Sequence, residues 1–275
     1  MTPGAAVGQV RESVVRAIER LGRGAVAMVE EMGHGTVLVC QSAYWLVFGP
    51  GQRQPVRPAA VVAQMAEIGV RAIPIVSMMA ATIGVMLAIQ GIHTLKIFGA
   101  ESRVTIGIAF SIVREFAPLI TGIIVAGRSG SALAARLGTM TINQEVDALT
   151  VMGIHPVRYL VAPALLAMLV MVPALTMLSN VVGLTAAGLY VQADLGISMA
   201  AFFSEVFEVL SYDDLAHGLG KSFLFALLIA IIGVVNGASV RGGAEGVGTA
   251  TTRAVVQSIS AIVITDMVFA FVATR

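Results

Sequence analysis

AIPIVSMMAATIGVMLAIQGIHTL, residues 72–95, contains no aspartate, glutamate, lysine or arginine, and it is bounded by Arg71 and Lys96. An α-helix rises about 1.5 Å per residue, so a bilayer core about 30 Å thick needs about 20 apolar residues. The stretch therefore predicts a helix that spans a membrane.

Four further segments of similar character follow, at 104–127, 159–191, 222–240 and 254–274. Apolar residues make up 57% of the chain and charged residues 12%, which is typical of membrane proteins. The sequence predicts an all-α polytopic membrane protein whose five transmembrane helices form one domain over 61–275. The formal charge of +1 gives no basic field for nucleic acid.

Arginine and lysine in the short loops predict the orientation, because they collect on the cytoplasmic side. They lie mainly before the first segment, between the second and third, and between the fourth and fifth: Arg11, Arg16, Arg20, Arg23, Arg53, Arg57, Arg71; Arg128, Arg136, Arg158; Arg241, Arg253. The loop between the third and fourth segments is instead acidic. The amino terminus is therefore expected inside and the carboxyl terminus outside.

Residues 1–60 form a separate amino-terminal region. Apolar side chains from Val10 to Met32 recur at steps of three and four, with arginine and glutamate between them. This periodicity predicts an amphipathic helix, which would lie at the inner-leaflet interface or pack as a soluble helix on the cytosolic face. The apolar run at 36–48 is too short to span and suits the interface.

A glycine-punctuated stretch, 127–163, separates the second and third segments. Gly130, Ala134 and Gly138 recur every four residues, a pattern that lets another helix approach closely. Packing within the chain and contact across a dimer are equally compatible with it.

A short helix is predicted over 142–152. Thr141 and Gln144 have capping-box spacing, and Glu145 and Asp147 lie where the helix dipole favours acids. Gly153 ends the helix. Ile142, Val146 and Leu149 share one face, which would meet either a soluble partner or the membrane surface.

Charged residues inside the apolar segments suggest a substrate cavity or a buried structural network. Arg114 and Glu115 lie near the middle of the second segment, and Asp266 lies in the fifth. Adjacent helical residues diverge by about 100°, so Arg114 and Glu115 are expected to meet different partners.

No pattern for catalysis or metal binding was found. Gly218, Gly220, Lys221 and Ser222 resemble the end of a phosphate-binding loop, but Leu215 stands where its first glycine should be. ATP hydrolysis would then belong to another polypeptide. The four histidines have no metal-ligand spacing, and no catalytic array of side chains is visible.

From about residue 60, the chain resembles the MlaE/YrbE family, the permease subunits of MCE-associated ABC transporters of bacterial lipids. The resemblance rests on several blocks in order: Gln90-Gly91, Arg114-Glu115 with Pro118, Ala126 to Ala132, Leu137 to Met140, Asp147-Ala148-Leu149, Met152-Gly153, Pro156, Asn236-Gly237 and Ala250 to Arg253. Two positions depart from the family pattern. Arg136 replaces a usual acid, and Gln144-Glu145 reverses a usual acid-glutamine order.

The resemblance implies a homodimer in the bacterial inner membrane, with a carboxyl terminus in the periplasm and a phospholipid cavity lined mainly by the first two spans. Candidate lining residues are Met78, Thr82, Met86, Arg114 and Glu115. It also implies a cytoplasmic ATPase, which uses ATP and magnesium, docked on the coupling residues Ile142, Glu145, Val146, Asp147, Ala148, Leu149, Met152 and Gly153. No cofactor is expected on this chain. A periplasmic MCE-domain protein and, in some members, a STAS-domain protein complete the assembly.

The sequence thus favours a non-enzymatic permease subunit that moves phospholipid between the inner membrane and a periplasmic MCE protein, maintaining outer-membrane lipid asymmetry. Two alternatives stay open. One is an ABC permease for a small polar solute, whose coupling segment would look similar. The other is an intramembrane lipid-modifying enzyme, suggested by the buried charges.

Overall fold

The computed structural model describes residues 56–273 and, before them, positions 33, 37, 40–42, 44 and 45. Residues 56–273 form helices and connecting turns without a strand. The α-helices are α1 (Pro58–Ile68), α2 (Ile73–Lys96), α3 (Val104–Phe110), α4 (Ala117–Val125), α5 (Ser131–Ile142), α6 (Glu145–Val151), α7 (Ala162–Leu195), α8 (Met199–Val209), α9 (Tyr212–Ala238) and α10 (Gly243–Ala273).

Five helical runs are long and apolar enough to cross a membrane, and they confirm the predicted fold class. They cover Pro58–Lys96, Glu101–Ile142, Val157–Leu195, Tyr212–Ala238 and Gly243–Val272. We call them the first to fifth spans. The amphipathic helix predicted within residues 1–32 lies outside the described residues.

The helices extend beyond the predicted apolar segments, because a helix does not stop where its residues become polar. The second span continues through α5 to Ile142, and the fourth and fifth begin at Tyr212 and Gly243. The predicted acidic loop is itself mostly helical, since it contains α8 and the first turns of α9. Ser211 caps α9 by accepting from the backbone N–H of Asp214, while the Asp214 carboxylate accepts from that of Ser211.

Close helix contacts at small residues hold the bundle together. A β-carbon at Gly84 of α2 would overlap the carbonyl oxygen of Gly183 in α7. Apolar burial drives helix association weakly in lipid, so such contacts and interhelical hydrogen bonds carry more of the stability. Thr121 and Ser179 share a buried 2.9 Å hydrogen bond between the second and third spans, and Asn236 Nδ2 donates to Gln257 Oε1 at 2.6 Å between the fourth and fifth.

The row of small residues in α5 faces α9 of the same chain. Side chains added at Gly130 and Gly138 would press on Ile229 and Val240, and Ala134 is fully buried. On the facing helix, a β-carbon at Gly237 would lie 2.9 Å from the carbonyl oxygen of Ala134. Of the two interpretations of this row, the structure favours packing within the chain.

Candidate functional site

The charged residues of the second span lie in a π-helical segment, Ser111–Phe116, between α3 and α4. Single π turns inside α-helices are rare and frequently occur at functional sites. Gly218 of α9 packs directly on this segment, because a β-carbon there would overlap the carbonyl oxygen of Val113. The absence of a side chain at Gly218 therefore brings α9 against Arg114 and Glu115.

Asp214 and Lys221 flank Gly218 on the same face of α9, at steps of four and three residues. Arg114 Nε lies 3.3 Å from Asp214 Oδ1, and Lys221 Nζ lies 2.5 Å from Glu115 Oε2. As expected from the angle between them, Arg114 and Glu115 reach different neighbours. Both partners come from the fourth span.

Asp266 of the fifth span completes the cluster. Its Oδ1 atom is 3.0 Å from Lys221 Nζ. This oxygen accepts no hydrogen bond from Lys221 or from any other described residue. We therefore regard Glu115 as the main partner of Lys221 and Asp266 as a Coulombic one. We call Arg114, Glu115, Asp214, Lys221 and Asp266 the charge network.

Burial is uneven across the charge network. The Lys221 side chain is fully buried and that of Asp266 is 16% exposed, whereas those of Arg114 and Glu115 are 39% and 40% exposed. Two cations and three carboxylates give a formal charge of −1 when all are ionised. The network thus has a closed side at Lys221 and an open side that presents one cation and one anion.

The sequence pattern points to Arg114, Glu115 and Asp266 but not to Asp214 and Lys221. Asp214 falls in the predicted acidic loop, and Lys221 falls in the incomplete phosphate-loop motif. The structure places Gly218 to Ser222 inside α9 with helices on both sides, so a strand-loop-helix arrangement is absent there. The capping pattern at Ser211 and Asp214 would have predicted the start of the helix, and with it the shared face.

The predicted cavity residues of α2 lie on its exposed side. Val76, Ala80, Gly84, Ala88 and Ile92 form the buried face of α2, and Met78, Thr82 and Met86 lie about 200° round the helix from it. Met78 is 58% exposed and Met86 52%, and Thr82 is also exposed. Their side chains therefore point away from the packing surface of α2 within one copy of the chain.

The described part of the chain also contains cavities large enough for part of a ligand, and two of them lie between helices of the first three spans. One, of about 330 Å³, lies between α2 and α3 and includes Gln90, Thr94 and Ser111. The other, of about 510 Å³, lies between α1, α5 and α7 and includes Arg128 and Arg136.

The short helix α6 is shorter than predicted, and its amino-terminal cap was predicted wrongly. Ile142 ends α5. Gln144, the residue before α6, adopts a left-handed conformation with φ 59°, and its side chain makes no capping hydrogen bond to α6. Thr141 is still inside α5, where its hydroxyl donates to the carbonyl of Leu137. The predicted end was correct, because Gly153 has φ +73° and the N–H of Ile154 donates to the carbonyl of Leu149.

The candidate coupling residues divide into an anchor and an exposed tip. Leu149 is 8% exposed and Val146 is partly buried, whereas Glu145, Asp147 and Ala148 are exposed. Val151 is 89% exposed and Met152 64%, at the carboxyl end of α6 beside Gly153. Nearby, the ring of Trp45 lies 5.3 Å from that of His155, so part of the amino-terminal region contacts the segment after α6.

Comparisons with known proteins agree with this architecture. The family model described as Permease MlaE matches residues 61–272. A probable ABC transporter permease protein of Synechocystis sp. is 38% identical over 204 residues, covering 74% of this chain and 77% of the relative. A probable ABC transporter permease protein of Rickettsia typhi is 33% identical over 79% of this chain and 86% of its own length.

A third relative has a more specific name. The intermembrane phospholipid transport system permease protein MlaE of Haemophilus influenzae is 29% identical over 246 residues, covering 89% of this chain and 92% of the relative. The family match spans all five predicted membrane helices, the charge network and α6. The chain therefore belongs to the MlaE permease family.

Proposed function

We propose that this chain is the transmembrane subunit of an ATP-driven transporter that moves phospholipid between the bacterial inner membrane and a periplasmic MCE-domain protein, and so maintains outer-membrane lipid asymmetry. The name of the Haemophilus relative supports the substrate class. Permease families contribute the membrane path, so ATP and magnesium would be used by a separate ATPase and the chain itself would be non-catalytic.

The open side of the charge network is the observation that carries this proposal. A zwitterionic phospholipid headgroup has a phosphate anion and an ammonium cation close together. Arg114 and Glu115 present the complementary pair, each about two-fifths exposed. Each of these charges has one partner in α9 and is still partly exposed, so a charged headgroup can add a further charge-assisted contact that a neutral small solute cannot.

The exposed stripe on α2 would complete the substrate path in a homodimer. The most apolar windows of the first and fifth spans are only 28% and 11% buried within one chain, whereas those of the other spans are 50% to 61% buried. Two copies meeting over these poorly covered helices would bring Met78, Thr82 and Met86 to the wall of a shared cavity. Their apolar side chains suit acyl chains, while Arg114 and Glu115 suit the headgroup.

The arginine-rich connections would place α6 in the cytoplasm, beside the ATPase. The amino terminus would then be cytoplasmic and the carboxyl terminus periplasmic, at the MCE side. Motion of the ATPase would pass through α6, which is anchored by Leu149, to α5 and the rest of the second span. A STAS-domain protein would bind the ATPase and leave this chain free to move.

Glutamine substitution at Glu115 or Arg114 tests the substrate site. Each change removes one charge-assisted contact to the headgroup, and we expect about a tenfold fall in phospholipid transfer by the reconstituted complex. Native mass spectrometry should show correspondingly less bound phospholipid. Glu208→Gln, an exposed carboxylate on α8, is the matched control and should leave transfer unchanged.

Unchanged transfer and unchanged lipid occupancy in both Arg114→Gln and Glu115→Gln would contradict the headgroup role. The purified chain without its ATPase should not chemically convert lipid. Turnover of lipid by the chain alone would instead support the intramembrane enzyme.

Val151→Asp tests the coupling role of α6. Val151 is almost fully exposed and belongs to no described core cluster, so the change should leave the fold intact. A carboxylate in an apolar protein interface costs binding strongly, and we expect at least tenfold less ATPase to copurify. Val151→Thr keeps the branched shape and should retain the ATPase. Full recovery of the ATPase with Val151→Asp would show that the tip of α6 is not the docking site.

A further inference from the structure

The cavity of about 510 Å³ between α1, α5 and α7 has a polar side and an apolar side. Its polar lining consists of Gln64, Glu67, Arg128, Ser129 and Arg136, and its apolar lining includes Ile68, Leu133 and Met168. Arg136 and Arg114 are 22 positions apart on one helical run, which corresponds to about 30 Å along its axis. The cavity is therefore a different site from the charge network, near the opposite end of the second span.

Glu67 neutralises one of the two cavity arginines. Arg128 Nη1 donates to the Glu67 carbonyl oxygen at 2.9 Å, and its Nη2 lies 3.9 Å from Glu67 Oε1. The same carboxylate also pairs with Arg71, one turn along the chain. Glu67 is thus shared between two guanidinium groups.

Arg136 is held differently. In the amide orientation that satisfies both groups, Gln64 Oε1 accepts from Arg136 Nη1 at 2.5 Å and from Nη2 at 2.8 Å. Among the residues that the structure describes, no carboxylate lies within ion-pair distance of Arg136. The lining of the cavity therefore carries a net positive charge, from two guanidinium groups and one shared carboxylate.

Ser129 adds a second, independent observation. The residue is 6% exposed and lines the same cavity, and its buried Oγ has no hydrogen-bond partner within the described part of the chain. A buried hydroxyl without a partner is uncommon in folded proteins. A ligand that offers an acceptor oxygen would satisfy it.

We propose that this cavity binds the phosphate of a phospholipid headgroup, as a second lipid site distinct from the charge network. The N–H groups of Arg136 that Gln64 leaves available and those of Arg128 match phosphate oxygens, and the Ser129 hydroxyl donates a further bond. Ile68, Leu133 and Met168 receive the glycerol and the first acyl carbons. This apolar side favours a lipid over free phosphate, and the site needs no ATP-driven transport to exist.

Binding of short-chain lipid to the purified full-length protein tests the proposal. The probe is dihexanoyl phosphatidylglycerol, with inorganic phosphate measured in parallel, and all variants carry Arg114→Gln so that binding at the charge network is weakened. We expect Arg136→Gln to weaken lipid binding about tenfold and Ser129→Ala about threefold. Arg136→Lys keeps the positive charge but loses the planar guanidinium group. Its affinity for the lipid should lie between that of Arg136→Gln and that of the parent.

Arg241→Gln is the control, because it removes an arginine at the same end of the molecule but outside this cavity. It should bind the probe like the parent. Equal affinity of the parent and Arg136→Gln would overturn the proposal, and so would phosphate binding as tight as lipid binding. Glu115→Gln separates the two proposals. If it loses phospholipid transfer but still binds the probe in this cavity, the cavity is a lipid site apart from the charge network. If it transfers phospholipid normally, only the transport role of the charge network is contradicted.

Discussion

Lys221→Met should destabilise the protein by about 3 kcal/mol, because it leaves Glu115 and Asp266 as carboxylates without their shared cation. Lys221 is fully buried, and both carboxylates lie within 3.0 Å of its amino group. Partial exposure of Glu115 keeps the expected cost at the lower end for a buried pair. The midpoint of thermal unfolding in detergent should fall, and transfer should be lost.

Neutralising the carboxylates separates stability from function. The triple variant Lys221→Met, Glu115→Gln, Asp266→Asn has no uncompensated charge around position 221, so most of the stability should return. Transfer should stay low, because the open side has lost its anion. If Lys221→Met were as stable as the parent chain, the charge network would not be the buried structure described above.

Gly218→Ala should have the second largest effect. A β-carbon at this position meets the carbonyl oxygen of Val113, which is backbone and cannot rotate away. We expect a loss of about 1 to 3 kcal/mol from overpacking, together with reduced transfer, since α9 must move away from Arg114 and Glu115. Lengthening of the Arg114–Asp214 and Glu115–Lys221 contacts should be visible in an experimental structure of the variant.

Gly220→Ala is the matched control on the same helix. The nearest atom to a β-carbon at Gly220 is Phe269 Cζ at 3.8 Å, an ordinary contact. Alanine favours helix over glycine by about 1 kcal/mol, so this variant should be as stable as the parent or more so. Equal behaviour of the two alanine variants would show that the close approach at Val113 does not position the charge network.

Lys221→Met and Gly218→Ala both disturb the charge network, the first by removing a charge and the second by adding bulk. Lys221 supplies the charge that holds the second, fourth and fifth spans together, and Gly218 supplies the space that allows it. Because the attraction between two charges falls as their distance grows, the electrostatic contacts of Lys221 depend on the close approach that Gly218 allows. This coupling explains why the largest effects are expected within one turn of α9.

Apolar length by itself determined the number and approximate position of the five spans, since the thickness of a bilayer fixes how long an uncharged helix must be. Local backbone preference likewise determined the end of α6 at Gly153, which adopts a positive φ. These features depend on neighbours in the sequence. The family could be recognised for a similar reason, from short blocks read in order.

Only the tertiary structure decided which charges meet. The capping pattern at Ser211 starts α9 locally, but only the packing of the spans brings Asp214 and Lys221 to Arg114 and Glu115, which compensate their charges. Met78, Thr82 and Met86 are exposed because the small residues of α2 pack on α7 from the other side of the helix, and their place in a substrate cavity stays a prediction. Apolar length is a property of one segment, so the sequence by itself determined the spans. The compensation of a buried charge needs side chains from several segments, so only the packing determined the site.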